Sequence, residues 1–327
     1  MKSLLKVGSV LGMLLMASWG MAGLVVLLGL SMPVWLLGMI LWAFAWRSRR
    51  AMTTWATLAL VVGLAVYVFG ILKPRQDRDW AVPYERLPKV LIGESSETVS
   101  VVDLRDYRWP KSGEPEQRWT SAAFEVSALD AVDLIIEPLA DSNHFAHTML
   151  SFRFGAEKRV IVSVEARREK GETFGLLPGL FRQFELMYQI TTEEDSLMLR
   201  ARESDSHLYI VPIKSDPAYR RELFVDMMRA ARLLEKEPRF YHSLRSNCTT
   251  ALFDHMNARL PEQVSYGKDV LFPAQAPALL DRLGWLADGL SWPRDKKAMQ
   301  SAQRVVDHFG TADFSNKVRE RGHTAVN

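Results

Sequence analysis

The sequence predicts an α+β protein in which an antiparallel sheet packed with helices forms a soluble domain behind an N-terminal transmembrane helical region. Three observations predict it. Charge is absent from Val7 to Trp46 and again from Ala51 to Leu72, whereas the chain from Lys73 onward is rich in it. Short β-branched and aromatic runs then fill most of the stretch from 98 to 213. Helical periodicity in the soluble part first becomes clear at Asp216. The 327 residues are 48% hydrophobic and 24% charged with a net charge of +3, which points away from nucleic acid and from general anion binding. There is no internal repeat and no low-complexity tract.

A helix needs about 20 apolar residues to cross the hydrocarbon core, and the first charge-free block is about twice that long. Its middle, "LGLSMPVW", carries Gly29, Ser31 and Pro33, residues compatible with a turn. The block therefore reads as a hairpin of two helices, roughly 8–28 and 32–46, and the second block as a third helix, roughly 52–72. The apolar region of a cleaved signal peptide lasts only about 7 to 15 residues, so cleavage is the poorer reading. Lys2 and Lys6 mark one cytoplasmic end and Arg47, Arg49 and Arg50 another, which a hairpin satisfies. The third helix then delivers the rest of the chain to the outside. The expected organisation is 1–73 membrane region, 74–265 catalytic domain and 266–327 C-terminal helical extension.

The tether "KPRQDRDWAVPYERLP" from Lys73 precedes strand-like runs that start at Thr98, Ser121, Ala131, His147 and Lys158. "FRQFELMYQIT" and "SHLYIVPI" add two more. A helix follows from Pro217 with Asp216 as N-cap, an apolar stripe at Leu223, Met227, Ala230 and Leu234, and Pro238 beyond its end. The second clear helix lies in "RSNCTTALFDHMNARL", where Asn247 is a favoured N-cap type and Leu252, Met256 and Leu260 recur every four residues. The apolar stretch near 270–290 reads as a core helix.

Cys248 is the only cysteine, and it falls in the first turn of that helix. One cysteine cannot form an intramolecular disulfide in an oxidising compartment. The amides and dipole of a helix N-terminus favour the thiolate, a property of use to a nucleophile and of none to a structural thiol. A nucleophilic thiol needs a base. His147, which starts a strand-like run, is the leading candidate, and His144, His207, His242 and His255 stay open. A residue that orients the imidazole is expected from a neighbouring strand, with Glu165 preferred and Ser163 or Glu169 as alternatives. The metal-binding motifs HExxH, paired cysteines and DxDxDG do not occur, so neither a metal nor another cofactor is expected.

Four segments, "FAHTMLSF", "VSVEARREKGETFG", "LPGLFRQFELMYQITTEEDSLMLRARE" and "FYHSLRSNCTT", resemble in order and spacing the Lnb N-terminal periplasmic domain of bacterial lipoprotein N-acyltransferases. The resemblance covers roughly residues 75–265. Members often have two asparagines before the cysteine, where this chain has Ser246 and Asn247. The resemblance implies a permuted papain-like fold, in which a histidine on a strand precedes a cysteine at a helix start, as in the similarly ordered lecithin:retinol acyltransferase. It implies Cys248 as nucleophile and His147 as base, with Glu165 chosen as the third member. Arg167, Asn247 and Tyr241 are expected to contact substrate. The implied reaction moves an acyl chain from a membrane phospholipid, through a Cys thioester, to the amine of a diacylglyceryl lipoprotein. The implied location is the bacterial inner membrane, multi-pass, with the catalytic domain in the periplasm. A membrane-tethered cysteine peptidase or amidase of the cell envelope would use the same dyad, and a non-catalytic binding module would not need it.

Overall fold

The computed structural model describes residues 2–29, 32–110, 112–139, 144–156, 158–203, 207–260, 265, 267 and 272–320. Three apolar helices come first: α1 (Lys2–Leu27), α2 (Met32–Ser48) and α3 (Arg50–Ala65), the last prolonged by a π turn at Val66–Ile71. Val10–Leu27 and Arg50–Ile71 are each long and apolar enough to cross a bilayer, whereas α2 has 17 residues. Large apolar side chains such as Leu37, Phe44 and Trp55 stand outward, at 57%, 75% and 72% exposure. A soluble monomer rarely shows so continuous an apolar surface. Gly23 lets α1 approach its neighbours, since a Cβ there would stand 2.3 Å from Leu64 of α3 and 2.6 Å from Phe181. Gly29 takes a positive φ of 63° after α1, as the expected turn requires, and Ser31 lies outside the described residues.

The soluble part is built on eight strands: β1 (Lys89–Ile92), β2 (Thr98–Arg105), β3 (Trp119–Glu125), β4 (Leu129–Pro138), β5 (Ala146–Phe154), β6 (Lys158–Arg167), β7 (Glu185–Thr192) and β8 (Tyr209–Ile213). Their order is β1-β2-β7-β6-β5-β4-β8, with β3 also on β2. Every pairing is antiparallel except β2 with β7. The strand-like runs thus become strands as expected. β1 was not expected, because "KVLI" is short and next to a proline-containing tether.

The central strands are buried on both faces, which explains why they read as nearly continuous apolar runs. On one face Leu150, Phe152, Val160, Val162 and Val164 meet α6 (Pro217–Lys236) and α7 (Cys248–Asn257). α6 starts as expected, with the Asp216 carboxylate accepting from the Tyr219 amide, and buries Leu223, Phe224, Met227 and Met228. Each such side chain contributes about 1.5–3 kcal/mol on leaving water. On the other face Ile135, Met149 and Ile161 meet α5 (Glu193–Glu203), a helix absent from the expected elements. Its apolar residues Leu197, Met198 and Leu199 are consecutive rather than spaced by turns, so no helical stripe shows.

What anchors α5 is charge. Asp195 accepts both from Arg105 (2.8 and 2.9 Å) and from the Trp109 indole (2.7 Å), with all three side chains buried. Glu193 is met by Ser151 (2.7 Å), by Ser315 (2.5 Å) and by Arg319, which also reaches Asp133 at 2.9 Å. Arg319 belongs to the C-terminal segment, which adds α8 (Ala276–Arg282), α9 (Trp292–Met299), α10 (Ala302–His308) and α11 (Phe314–Lys317). Leu280, Leu286 and Met299 enter the first core, and Val305, Phe314 and Val318 the second. Among its described residues the segment carries these four helices and is part of both cores.

Candidate active site

Asn247 caps α7: its Oδ1 accepts from the Thr249 (3.0 Å) and Thr250 (2.9 Å) amides, and Thr250 Oγ1 accepts from the Asn247 amide in return. This capping box puts Cys248 at the first helical position, buried at 8% exposure. Its Sγ lies 3.9 Å from the Ala146 carbonyl of β5 and 3.8 Å from Thr249 Oγ1. Thr249 is itself fixed to β5 by a 3.1 Å bond to Thr148. The His147 ring, which β5 supplies one residue after Ala146, interacts with the thiol.

His147 Nε2 lies 2.8 Å from Ser163 Oγ and 3.0 Å from Glu165 Oε1, both on β6. With Nε2 so engaged, Nδ1 is the ring nitrogen left for the thiol. Ser163 donates to the same Glu165 oxygen at 2.6 Å, and Arg200 of α5 donates to it at 3.0 Å. Arg200 also lies 3.4 Å from Glu137, which pairs with His147 across β4 and β5. A row of groups therefore runs thiol, imidazole, carboxylate, guanidinium.

The electrostatics follow this order. Burial pushes the Cys248 thiol up, but the His147 ring beside it outweighs burial and holds the thiol below its ordinary value. Burial pushes His147 down, yet the Glu165 carboxylate raises it from 6.5 to about 10. Burial alone would favour neutral Glu165, and the charges of His147 and Arg200 hold its carboxyl far below the usual range. Because α7 also points its N-terminus at the sulfur, the favoured state is a thiolate beside an imidazolium. Among the described residues no group of His, Cys, Asp and Glu is arranged to hold a metal ion.

The structure thus brings Cys248, His147 and Glu165 together and adds Ser163, which was held as an alternative to Glu165 and stands between the two. Glu169, the other alternative, is bound to Arg78 at 2.6 Å in the tether. His242 accepts from the Leu244 amide within its own turn, and His255 lies at the far end of α7. Two expected substrate residues are instead structural. Arg167 is buried, bonded to the Tyr84 and Glu85 carbonyls and to Gln76, and stacked 4.0 Å from the Trp80 ring, so it fastens the tether to the sheet. Asn247 spends its oxygen on the cap and its nitrogen on the Ser243 carbonyl. Tyr241 is buried beside the site, and burial, with the charges of Cys248 and Glu165, keeps its phenol protonated.

Arg200 was missed because α5 was missed. The signal was there in "EEDSLMLRARE", three acids in the first turn and Arg200 and Arg202 in the last, the charge order that a helix dipole favours. A second missed feature is α4 (Leu176–Leu180), one short turn of helix behind the nucleophile segment. A Cβ on Gly179 would lie 2.2 Å from Ser243 Oγ and 3.3 Å from the Tyr241 ring. Ser243 in turn donates to the Leu176 carbonyl at 2.7 Å. The other side of α4 meets α1, where Phe181 lies 5.2 Å from Trp19, ring to ring.

Neither a curated protein nor a solved structure matches the chain. The model of one protein family, described as the Lnb N-terminal periplasmic domain, matches residues 116–280. The match starts at the loop before β3 and runs into α8, so it lies further toward the C-terminus than the 75–265 expected from the four segments. It takes in β5, β6, α5 and the start of α7, and with half of its length so matched this chain belongs to the Lnb N-terminal periplasmic domain family.

Proposed function

We propose that the protein is a lipoprotein N-acyltransferase that works through a Cys248 thioester. The Cys248 thiolate attacks an ester carbonyl of a membrane glycerophospholipid, forming the C–S bond. As the C–O bond breaks, the departing lysophospholipid oxygen takes the proton that His147 holds. The α-amine of a diacylglyceryl-cysteine lipoprotein then attacks the thioester and loses a proton to His147, an amide C–N bond forms, and the thiolate leaves. Glu165 and Ser163 hold the ring so that Nδ1 faces the sulfur. The Asn247 cap takes the second and third amides of α7, which leaves the Cys248 amide to donate to the oxyanion. In this reading the three N-terminal helices are a multi-pass inner-membrane anchor with the sheet domain in the periplasm.

The observation that favours lipid substrates is the place of α4, with Gly179 against Ser243 and Tyr241 on one side and Phe181 against α1 on the other. The nucleophile segment is thereby seated on the apolar helices through α4. A peptidase or amidase on the same dyad is the second reading. The test incubates the detergent-solubilised protein, or Cys248→Ser, with a phospholipid and a synthetic diacylglyceryl-cysteine lipopeptide. A mass gain of one acyl chain on the lipopeptide amine, lost in Cys248→Ser, is expected. Release of free fatty acid or cleavage of peptide in its place would shift the assignment to a hydrolase.

A further inference from the structure

A cavity of about 560 Å³ lies where α1, α2 and α3 meet α4, within the ~300–1,000 Å³ common for ligand sites. Its walls include Trp19, Ala22, Val26, Trp35, Leu177 and Phe181. Trp35 Nε1 donates to the Ser18 carbonyl at 3.4 Å, and both residues line the cavity. Val26 also borders a second cleft, which holds Lys73, Arg78, Arg182 and Phe240. Arg78 meets all three carboxylates there, Glu169 and Glu185 at 2.6 Å and Glu172 at 3.5 Å. Among the described residues neither Lys73 nor Arg182 is paired with a carboxylate. Arg182 is held at a left-handed φ of 58°, with its guanidinium on the Val68 and Phe69 carbonyls where the α3 π turn ends. Phe240 lines this cleft, and the next residue, Tyr241, packs beside Cys248.

We propose that the cavity and the cleft together hold one membrane glycerophospholipid, an acyl chain between α1 and α4 and the phosphate against Lys73 and Arg182. An apolar slot beside Lys73 and Arg182, two cations with no carboxylate of their own among the described residues, offers a hydrocarbon tail and a headgroup phosphate adjoining places, and neither half alone would select a lipid. The headgroup at the membrane boundary places the ester bonds beside α4, one helix from the nucleophile segment. Exposed Phe174 and Leu176 continue the apolar surface, and Phe174 meets the Tyr241 ring edge-on at 6.0 Å. That this lipid is the acyl donor rests on the acyl-transfer reading; that it binds does not.

The test uses full-length Cys248→Ala in nanodiscs, so that no turnover intervenes, with a phosphatidylglycerol probe carrying a diazirine at the end of one acyl chain. Crosslinks located by peptide mass are expected on Trp19, Leu177 or Phe181. Ala22→Phe fills the slot and should reduce them about 10-fold, with crosslinks to the outward Leu37 and Phe44 unchanged. Ala22→Leu should reduce them less, which guards against a misfolded variant. A diacylglycerol probe with the same tail should label the slot more weakly, and Lys73→Gln with Arg182→Gln should erase the difference between probes. Crosslinks spread over the outward helix faces, and indifferent to Ala22→Phe, would overturn the site and leave only boundary lipid. Slot crosslinks in a protein whose wild type transfers no acyl chain would keep the site and remove the acyl-transfer reading.

Discussion

The two ends of α7 carry two histidine–carboxylate pairs of nearly the same construction. At the N-terminus His147 stands 3.0 Å from Glu165; at the C-terminus His255 Nδ1 stands 2.7 Å from Asp226 of α6. Both carboxylates are in turn met by an arginine, Arg200 at 3.0 Å and Arg259 at 2.6 Å. The difference is what the second ring nitrogen finds. For His147 the ring's other neighbour is the Cys248 thiol, and for His255 Nε2 it is the Tyr188 hydroxyl at 2.5 Å. A phenol kept protonated by burial is a hydrogen-bond partner and little else, so the His255 group clamps α7 to α6 and β7. An oriented imidazole becomes a base only where a nucleophile meets it, and the cap at Asn247 is what brings one there.

The widest separation between the two ends should come from removing the rings. His147→Gln is expected to lower acyl transfer by about 10³-fold, within the range for loss of a general base. His255→Gln should leave transfer within about threefold and lower the melting temperature, since a hydrogen bond to a charged group contributes about 1.5–3 kcal/mol and this one is only partly buried, which puts it at the low end. Initial rates and thermal unfolding of the two variants side by side check this. Comparable losses of activity would dissolve the distinction.

Glu165→Gln should come next, at about 10- to 100-fold, since it keeps the shape and removes the charge that lifts His147. The pH dependence gives its signature. In the wild type the thiolate–imidazolium pair exists from below the ordinary thiol value of 9.0 up to the His147 value of about 10, so alkylation of Cys248 by iodoacetamide should set in at lower pH than for an ordinary thiol. In Glu165→Gln the profile should shift toward higher pH. The stability linkage has a definite sign. His147 is raised from 6.5 to about 10, so its contribution is whole below pH 6.5 and is lost as pH rises through about 10. Glu165 is lowered, so its contribution is present above pH 4.5 and is lost as pH falls toward its folded value. In Cys248→Ala, where no thiolate offsets the proton on His147, a urea midpoint independent of pH between 6.5 and 10 would show that His147 is not held charged.

Much of this site was legible in the sequence, for local reasons. Asn247 beside Cys248 and an every-fourth-residue apolar stripe define a capped helix from a dozen residues. Alternation in "AHTMLSF" places His147 on a strand, and family resemblance joined the two. Partners that depend on register were less legible. Met149 pairs with Ser163, which carries His147 alongside Glu165, and this pairing is set by the whole sheet rather than by either strand. Arg200 was hidden for a different reason: α5 is held by Arg105, Trp109 and Arg319, far apart in sequence, so its stabilising contacts leave no local pattern. Arg167 and Asn247 show the converse error. Polar residues beside a motif read as substrate contacts, although a buried tether and a helix cap require the same side chains.

The smallest change that still separates the two ends is Tyr188→Phe. It removes one hydroxyl, keeps the ring in the first core, and leaves His255 with Asp226. A neutral hydrogen bond of this kind contributes about 1 kcal/mol net, and the nitrogen left behind raises the cost modestly if water cannot reach it. Tyr188 is not hydrogen-bonded to the thiol, and α7 keeps its Asn247 cap and the Thr148–Thr249 bond at the other end. The expected result is a fall in the denaturant midpoint with transfer rate and Cys248 alkylation profile unchanged. A coupled shift in that profile would mean that the C-terminal clamp sets the position of the sulfur, and the two ends would then have to be treated as one device.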